Sequence, residues 1–166
     1  MTKTLYLAGG CYWGMEHFLG LIRGVTDTEV GFANGHTKNP TYEEVYTDGT
    51  GYAETVKVEY DVDVLPLADL TELYFKAIDP LSLNQQGEDR GTRYRTGIYF
   101  TDPADEPVIR EVYDKVQQRY AALLAVELLP LRNFCPAEEY HQDYLDKNPE
   151  GYCHLTKAIF DIARRY

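Results

Sequence analysis

The chain has 166 residues, 44% of them hydrophobic and 26% charged, the proportions of one globular domain long enough to bury a real core. Its net charge of -11, with Lys and Arg scattered and outnumbered, argues against a phosphate-binding face and so against nucleic acid as a partner. No apolar run approaches the roughly 18 residues of a membrane span, and Met1-Thr2-Lys3-Thr4 leads straight into a strand pattern, so a cytoplasmic protein without membrane contact is expected.

In chain order, Thr4 to Leu7 reads as a short strand ending at Ala8-Gly9-Gly10. The apolar spacing then changes to Met15, Phe18, Leu19 and Ile22, one face of a helix, with Gly24 as its stop. Val25 to Phe32 is strand-like, and a polar loop follows through Asn34-Gly35-His36 and Asn39-Pro40. Between Tyr52 and Tyr60, Val56, Val58 and Tyr60 alternate with Lys57 and Glu59, as in a half-buried strand. Leu70, Leu73, Tyr74 and Ala77 predict a second helix, stopped at Asp79-Pro80.

A turn-rich stretch runs from Leu81 to Thr96, and Gly97 to Phe100 reads as a further strand. Asp102-Pro103 opens a third helix, with Val108, Ile109, Val112 and Val116 expected on its buried side. Val126 to Leu131 is a candidate strand and Ala158 to Arg165 a short terminal helix; Asn133 to Tyr152 has no readable period. Strands and helices interleave without a linker or repeat, which predicts a single α+β or α/β domain over residues 1–166.

The strongest chemical signal is Gly9-Gly10-Cys11-Tyr12-Trp13-Gly14, placed where a strand turns into a helix. A thiol there feels unsatisfied N–H groups and the positive end of the helix dipole, which favour thiolate. The same fragment is equally compatible with a small buried Cys that only packs. Glu54, at the mouth of a strand, is a general acid if burial raises its pKa; alone, an exposed carboxylate is the commoner reading. Gly87 to Arg95 reads as a charged, glycine-punctuated loop, a cover for a site or simply solvated.

Three cysteines cannot all pair in structural disulfides. Cys153 lies in a segment bracketed by Gly and Pro, where a second thiol can serve a disulfide-forming cycle. Cys11, His17, Cys135, His141, Cys153 and His154 form neither a Cys-x-x-Cys nor a finger-type His pair, so no metal and no cofactor is expected. A cysteine hydrolase would want a His base beside Cys11, for which neither His17 nor His141 has local context.

Taken together, six segments in order resemble the type A peptide methionine sulfoxide reductases over nearly the whole chain. They are Gly10-Cys11-Tyr12-Trp13-Gly14, Asn39-Pro40-Thr41-Tyr42, Gly51-Tyr52-Ala53-Glu54, Gly91-Thr92-Arg93-Tyr94-Arg95, Ala137-Glu138-Glu139-Tyr140-His141-Gln142 and Gly151-Tyr152-Cys153. The resemblance implies an α+β two-layer sandwich with a ferredoxin-like core and long wrapping coils. It places Cys11 as nucleophile, Glu54 as the acid that protonates the sulfoxide oxygen, and Tyr42 and Tyr94 as hydroxyls that bind that oxygen. Asp89 falls on a polar residue of the same site, and Tyr12 and Trp13 on the aromatic pair that holds the substrate's methyl group.

The resemblance further implies methionine-S-sulfoxide as substrate, free or in proteins, and a Cys11 sulfenic acid resolved by a second thiol, with protein repair as the result. Thioredoxin is then the reductant, and a monomer is expected. Tyr12 stands where Phe is usual and Tyr52 where His is usual; both swaps keep an aromatic ring. The tail from Lys157 to Tyr166 lacks the further Cys that many relatives carry; Cys153 is preferred over Cys135 as the resolving thiol because it matches the family's Gly-Tyr-Cys element by position and its surroundings read as mobile. A redox sensor that keeps the thiol site without turnover is the rival reading; it has no use for the Glu54, Tyr42 and Tyr94 set.

Overall fold

The computed structural model describes residues 1–38 and 40–166, so Asn39, the first residue of one of the six segments, lies outside the described residues. The alternating patterns form β1 (Thr2–Ala8), β2 (Val25–Ala33) and β3 (Ala53–Asp61), each within two residues of the predicted ends. The first helical period forms α1 (Tyr12–Gly20), and Gly24 follows it at φ +105°. A short helix absent from the predicted pattern, α2 (Tyr42–Tyr46), comes next. The Leu70 period lies in α3 (Leu67–Ala77), and the turn-rich stretch holds the small hairpin β4 (Gln85–Gln86) and β5 (Asp89–Arg90) with a one-turn 3-10 helix at Thr92–Tyr94.

The strand β6 (Gly97–Phe100), helix α4 (Asp105–Gln117) and strand β7 (Glu127–Pro130) follow the expected order. Val108 differs from expectation: it is 39% exposed, because Asp105, Ile109, Val112 and Val116 make the buried stripe and Val108 falls on its flank. The stretch without a readable period contains β8 (Phe134–Pro136), a 3-10 turn at Glu139–His141 and the single turn α5 (Tyr144–Lys147), all too short to leave a period. The chain finishes with α6 (Lys157–Arg164).

The central strands lie in the order β6-β1-β3-β2, every neighbouring pair antiparallel, and α1 and α3 make the crossovers. That βαββαβ order is the ferredoxin-like core. One face of it carries Leu5, Leu7, Val30, Phe32, Val56, Val58 and Ile98, buried against Met15, Phe18, Leu19, Leu70 and Tyr74 of the helices. Each such side chain contributes about 1.5–3 kcal/mol on leaving water.

On the other face Ala8, Ala33 and Ala53 are small, and the sheet coils around them. The rings of Tyr6 on β1 and Phe134 on β8 lie 5.0 Å apart, although three strand spacings, about 14 Å in a flat sheet, separate their strands. β7 extends the sheet beyond β6 as a parallel strand and β8 beyond β2 as an antiparallel one. The sheet's curvature lets residues 131–133 join these opposite edges. Ala8 pairs with Thr55, and Phe32 with Glu54, so β1 delivers the chain to the start of α1 directly beside Glu54.

Candidate active site

Between β1 and α1 the backbone turns through Gly10, whose φ of +80° suits only glycine. A β-carbon there would also come within 2.8 Å of Gln86 Cβ and 2.9 Å of His154 Nε2. Cys11 is the N-cap residue of α1, in extended conformation and 7% exposed. Its sulfur faces the N–H groups of Trp13 and Gly14, which favour thiolate, as the turn predicts. Burial is the larger effect, however, and with the Glu54 charge it pushes the thiol well above its ordinary pKa. The resting group is a thiol, contrary to the expectation from the helix end alone.

Glu54 is 1% exposed, not the solvated carboxylate that its isolated sequence context favours. Its Oε1 accepts the backbone N–H of Tyr12 at 3.2 Å, while Oε2 is buried without a hydrogen-bond partner. Burial pushes its pKa up to about 8, against the pull of the Tyr12 N–H and the Arg93 charge. At neutral pH Glu54 therefore holds a proton.

Two phenols complete this group. Thr41 caps α2 reciprocally with Glu44, at 3.2 and 3.1 Å, and so fixes Tyr42 as the first helical residue. Tyr94 is 7% exposed at the end of its 3-10 turn; burial and the Glu54 charge push it up to about 12, and raise Tyr42 likewise. Both keep their protons and can donate. Arg93, which has no role in the sequence reading, is buried between the rings of Tyr46 and Tyr94, at 4.2 and 4.4 Å. It pairs with Asp48 at 2.8 Å and donates to the Tyr46 carbonyl at 3.0 Å, which locks the loop that presents Tyr94.

The apolar wall is aromatic. The Tyr12 ring packs among Phe32, Tyr42 and His141, with its hydroxyl buried and unpartnered. Trp13 donates its indole N–H to His141 Nδ1 at 3.1 Å and stacks on Tyr144 at 3.7 Å. His141 is 2% exposed and burial lowers its pKa, so it is neutral and able to accept that bond. Sequence context assigned it nothing. Glu16, likewise unassigned, is buried in α1, where it accepts the Asp143 N–H at 2.7 Å and the Thr28 hydroxyl at 3.0 Å, fastening the root of α5.

Asp89 turns toward the tail. It accepts the Tyr152 hydroxyl at 3.0 Å and lies 3.9 Å from His154 Nδ1, while its charge reaches Cys11 and Glu54. Cys153 is half-buried against α1; a β-carbon on Gly14 would come within 2.9 Å of its sulfur. Cys135 lies on the edge strand β8, opposite Phe32, beside Tyr52 and Thr37. All three cysteines are thiols. Among the described residues no three His, Cys, Asp or Glu side chains are arranged to hold a metal, and no helix is long and apolar enough to cross a membrane.

Residues 3–164 match the family model described as peptide methionine sulfoxide reductase. The chain is 52% identical over 164 residues to the peptide methionine sulfoxide reductase MsrA of Lachnoclostridium phytofermentans, covering 99% of both chains. Its fold is similar to that of Mxr1 from Saccharomyces cerevisiae in reduced form, with a TM-score of 0.88 at 36% identity over 93% of this chain and 91% of that one. It is also similar to Mxr1 in complex with Trx2, with a TM-score of 0.61 at 25% identity over 86% and 84% of the two chains. The chain belongs to the peptide methionine sulfoxide reductase family.

Proposed function

We propose that the chain reduces methionine sulfoxide, with the S configuration at sulfur and either free or in polypeptides, through a thiol cycle that starts at Cys11. The observation that carries this reading is the buried, protonated Glu54, whose Oε2 has no partner in the protein, beside Cys11, Tyr42 and Tyr94. A sulfoxide sulfur becomes electrophilic as its oxygen gains a proton, so the acid and the phenols belong on the oxygen and the thiol on the sulfur.

Glu54 donates its proton to the sulfoxide oxygen, Tyr42 and Tyr94 donate hydrogen bonds to it, and Glu54 recovers a proton from the Cys11 thiol. The Cys11 sulfur then bonds to the substrate sulfur; that bond and the substrate's sulfur–oxygen bond break as the protonated oxygen passes to the Cys11 sulfur. Thiol and sulfoxide become sulfenic acid and thioether; Cys11 loses two electrons and the substrate sulfur gains them. Tyr12 and Trp13 hold the substrate's methyl group, with Trp13 oriented by His141 and Tyr144. Asp89 holds Tyr152, and with it the segment that carries Cys153.

Cys153 attacks the sulfenic sulfur, which forms the Cys11–Cys153 disulfide and expels water. Its packing on Gly14, whose N–H faces Cys11, supports Cys153 over Cys135. A thioredoxin-type dithiol then reduces the disulfide, in keeping with the yeast relative held in complex with Trx2. Such a reductant supports a cytoplasmic setting, in which the activity would repair oxidised proteins.

The deciding experiment supplies the purified protein with dithiothreitol and each sulfoxide epimer separately. Consumption of the S epimer alone is expected; consumption of the R epimer alone, or of neither, would overturn the reading.

A further inference from the structure

Four rings form a continuous chain of contacts beside the site. Tyr46 on α2 lies 6.2 Å from Tyr42, Tyr42 lies 4.5 Å from His141, and His141 lies 4.0 Å from Tyr140. The inner two, Tyr42 and His141, are half-buried and buried. The outer two are bare: Tyr46 is 56% and Tyr140 62% exposed, each against a different member of the inner pair. None of the catalytic steps above uses them.

Their surroundings narrow what they can touch. Among the described residues the nearby cations are both paired: Arg93, covered by the Tyr46 ring, with Asp48, and Lys147 with Glu139 at 3.6 Å, which leaves Glu43 and Glu44 as the acidic surplus. Glu43 and Glu44 beside Tyr46, and Glu139 beside Tyr140, are exposed. The rim is thus apolar at its centre and acidic at its margins.

A methionine sulfoxide in a polypeptide enters by its side chain, so its own chain must lie across the mouth in both directions. Measured along the centroids, the line of rings is at most about 15 Å long, the reach of roughly four extended residues. Tyrosine suits such a seat, since its ring packs apolar side chains while its hydroxyl serves backbone amides. Methionine is also among the most frequently buried residues, so its neighbours in a protein core are often apolar.

We infer that Tyr46 and Tyr140 form the docking rim for a polypeptide substrate, seating apolar residues on either side of the oxidised methionine and disfavouring acidic ones. The inference rests on the proposed sulfoxide reduction and adds the substrate features that the site selects. It makes the two tyrosines determinants of peptide recognition that leave the chemistry at Cys11 unaltered.

The test compares Tyr46→Ala, Tyr140→Ala and the corresponding Tyr→Phe variants with the parent, using dithiothreitol as reductant. The substrates are free methionine-S-sulfoxide and two peptides in which the oxidised residue is flanked by Leu or by Asp. The parent should prefer the Leu-flanked peptide at least about fivefold in kcat/KM, a difference of roughly 1 kcal/mol in transition-state binding. Each Ala variant should lose most of that preference through KM and each Phe variant should restore it, while free sulfoxide turnover should stay within about twofold in Tyr140→Ala and in both Phe variants, which keep the Tyr46 ring on Arg93.

Equal losses of Tyr140→Ala on the free amino acid and the peptide, or no loss of peptide preference in either Ala variant, would overturn the rim. So would a loss seen only when thioredoxin replaces dithiothreitol, which would make this face the reductant's. A parent protein inert toward every sulfoxide would instead overturn the underlying reaction.

Discussion

Cys153 Sγ rests against the α-carbon of Gly14, so closely that a β-carbon would approach it to 2.9 Å. Gly14 also turns its N–H toward Cys11. One glycine in the first turn of α1 therefore touches both thiols of the proposed disulfide. Gly14→Ala should add helix stability of up to about 1 kcal/mol by propensity, while displacing Cys153. We expect thioredoxin-dependent turnover to fall at least about tenfold, as for a misplaced reacting group, with dithiothreitol-supported turnover largely kept. Stopped-flow loss of free thiols after one substrate equivalent reads the closing step directly.

The other two cysteines separate cleanly by substitution. Cys153→Ser should still release one methionine per protein yet stop turnover with thioredoxin. Cys135→Ser should leave both intact. Mass spectrometry of the oxidised parent should find Cys11 joined to Cys153; a Cys11–Cys135 bond would reverse the assignment.

Glu54 sets an alkaline limit. Its native pKa of about 8 lies above the ordinary carboxylate value of 4.5 because of burial, so activity should decline as pH rises through about 8. Glu54→Gln should lower kcat by about 10²-fold or more and abolish that limb. Stability follows the same sign. Between pH 4.5 and 8 the native state holds a proton that the unfolded state has released, so Glu54's contribution weakens as pH rises through this window. Chemical denaturation of parent and Glu54→Gln across that range should show the parent alone losing stability from this source.

Arg93 tunes this acid from the side. Its charge draws the Glu54 pKa down, so Arg93→Met should move the alkaline limb of the pH profile upward. The variant also leaves Asp48 without its partner, and thermal unfolding should report a loss of about 2 kcal/mol. An unmoved limb would mean that Arg93 only braces the loop.

His141 is expected to act through Trp13. His141→Phe keeps an aromatic ring but removes the acceptor of the indole N–H, a bond of about 1 kcal/mol net. KM for methionine sulfoxide should rise about fivefold with kcat little changed, the split expected of a lost binding contact. In the parent, acid should have a similar effect. Burial lowers the native His141 pKa, so below pH 6.5 the unfolded state takes up a proton first and stability falls with pH.

Cys11 stood out in its glycine turn, and a mixed α/β domain in the alternating strands and helical periods, whereas Glu54, Tyr42, Tyr94 and the ferredoxin-like core were legible only through the resemblance that the six motifs in order carry. What stayed hidden is long-range. His141 meets Trp13 across 128 positions and Glu16 meets Asp143 across 127, and no local pattern encodes such pairs. The protonation of Cys11 was hidden for the same reason: its helix end is local, whereas its burial is assembled from distant segments. By contrast α2 had a local mark, Thr41 followed three residues later by Glu44, which reads as a capping box.

The coiled sheet has a consequence for the company this protein keeps. β7 and β8 occupy the outer positions of the ferredoxin-like core, and the three residues joining them run from one side to the other. β7 thus covers all of β6, and β8 with Gln142 covers the Val30–Ala33 end of β2, so these stretches offer no bare N–H and C=O groups for a foreign strand to extend. An enzyme that repairs oxidised chains works among partly unfolded polypeptides seeking such margins. It can meet their methionines at the proposed Cys11 site without the covered strand ends beside that site serving as a template for their aggregation.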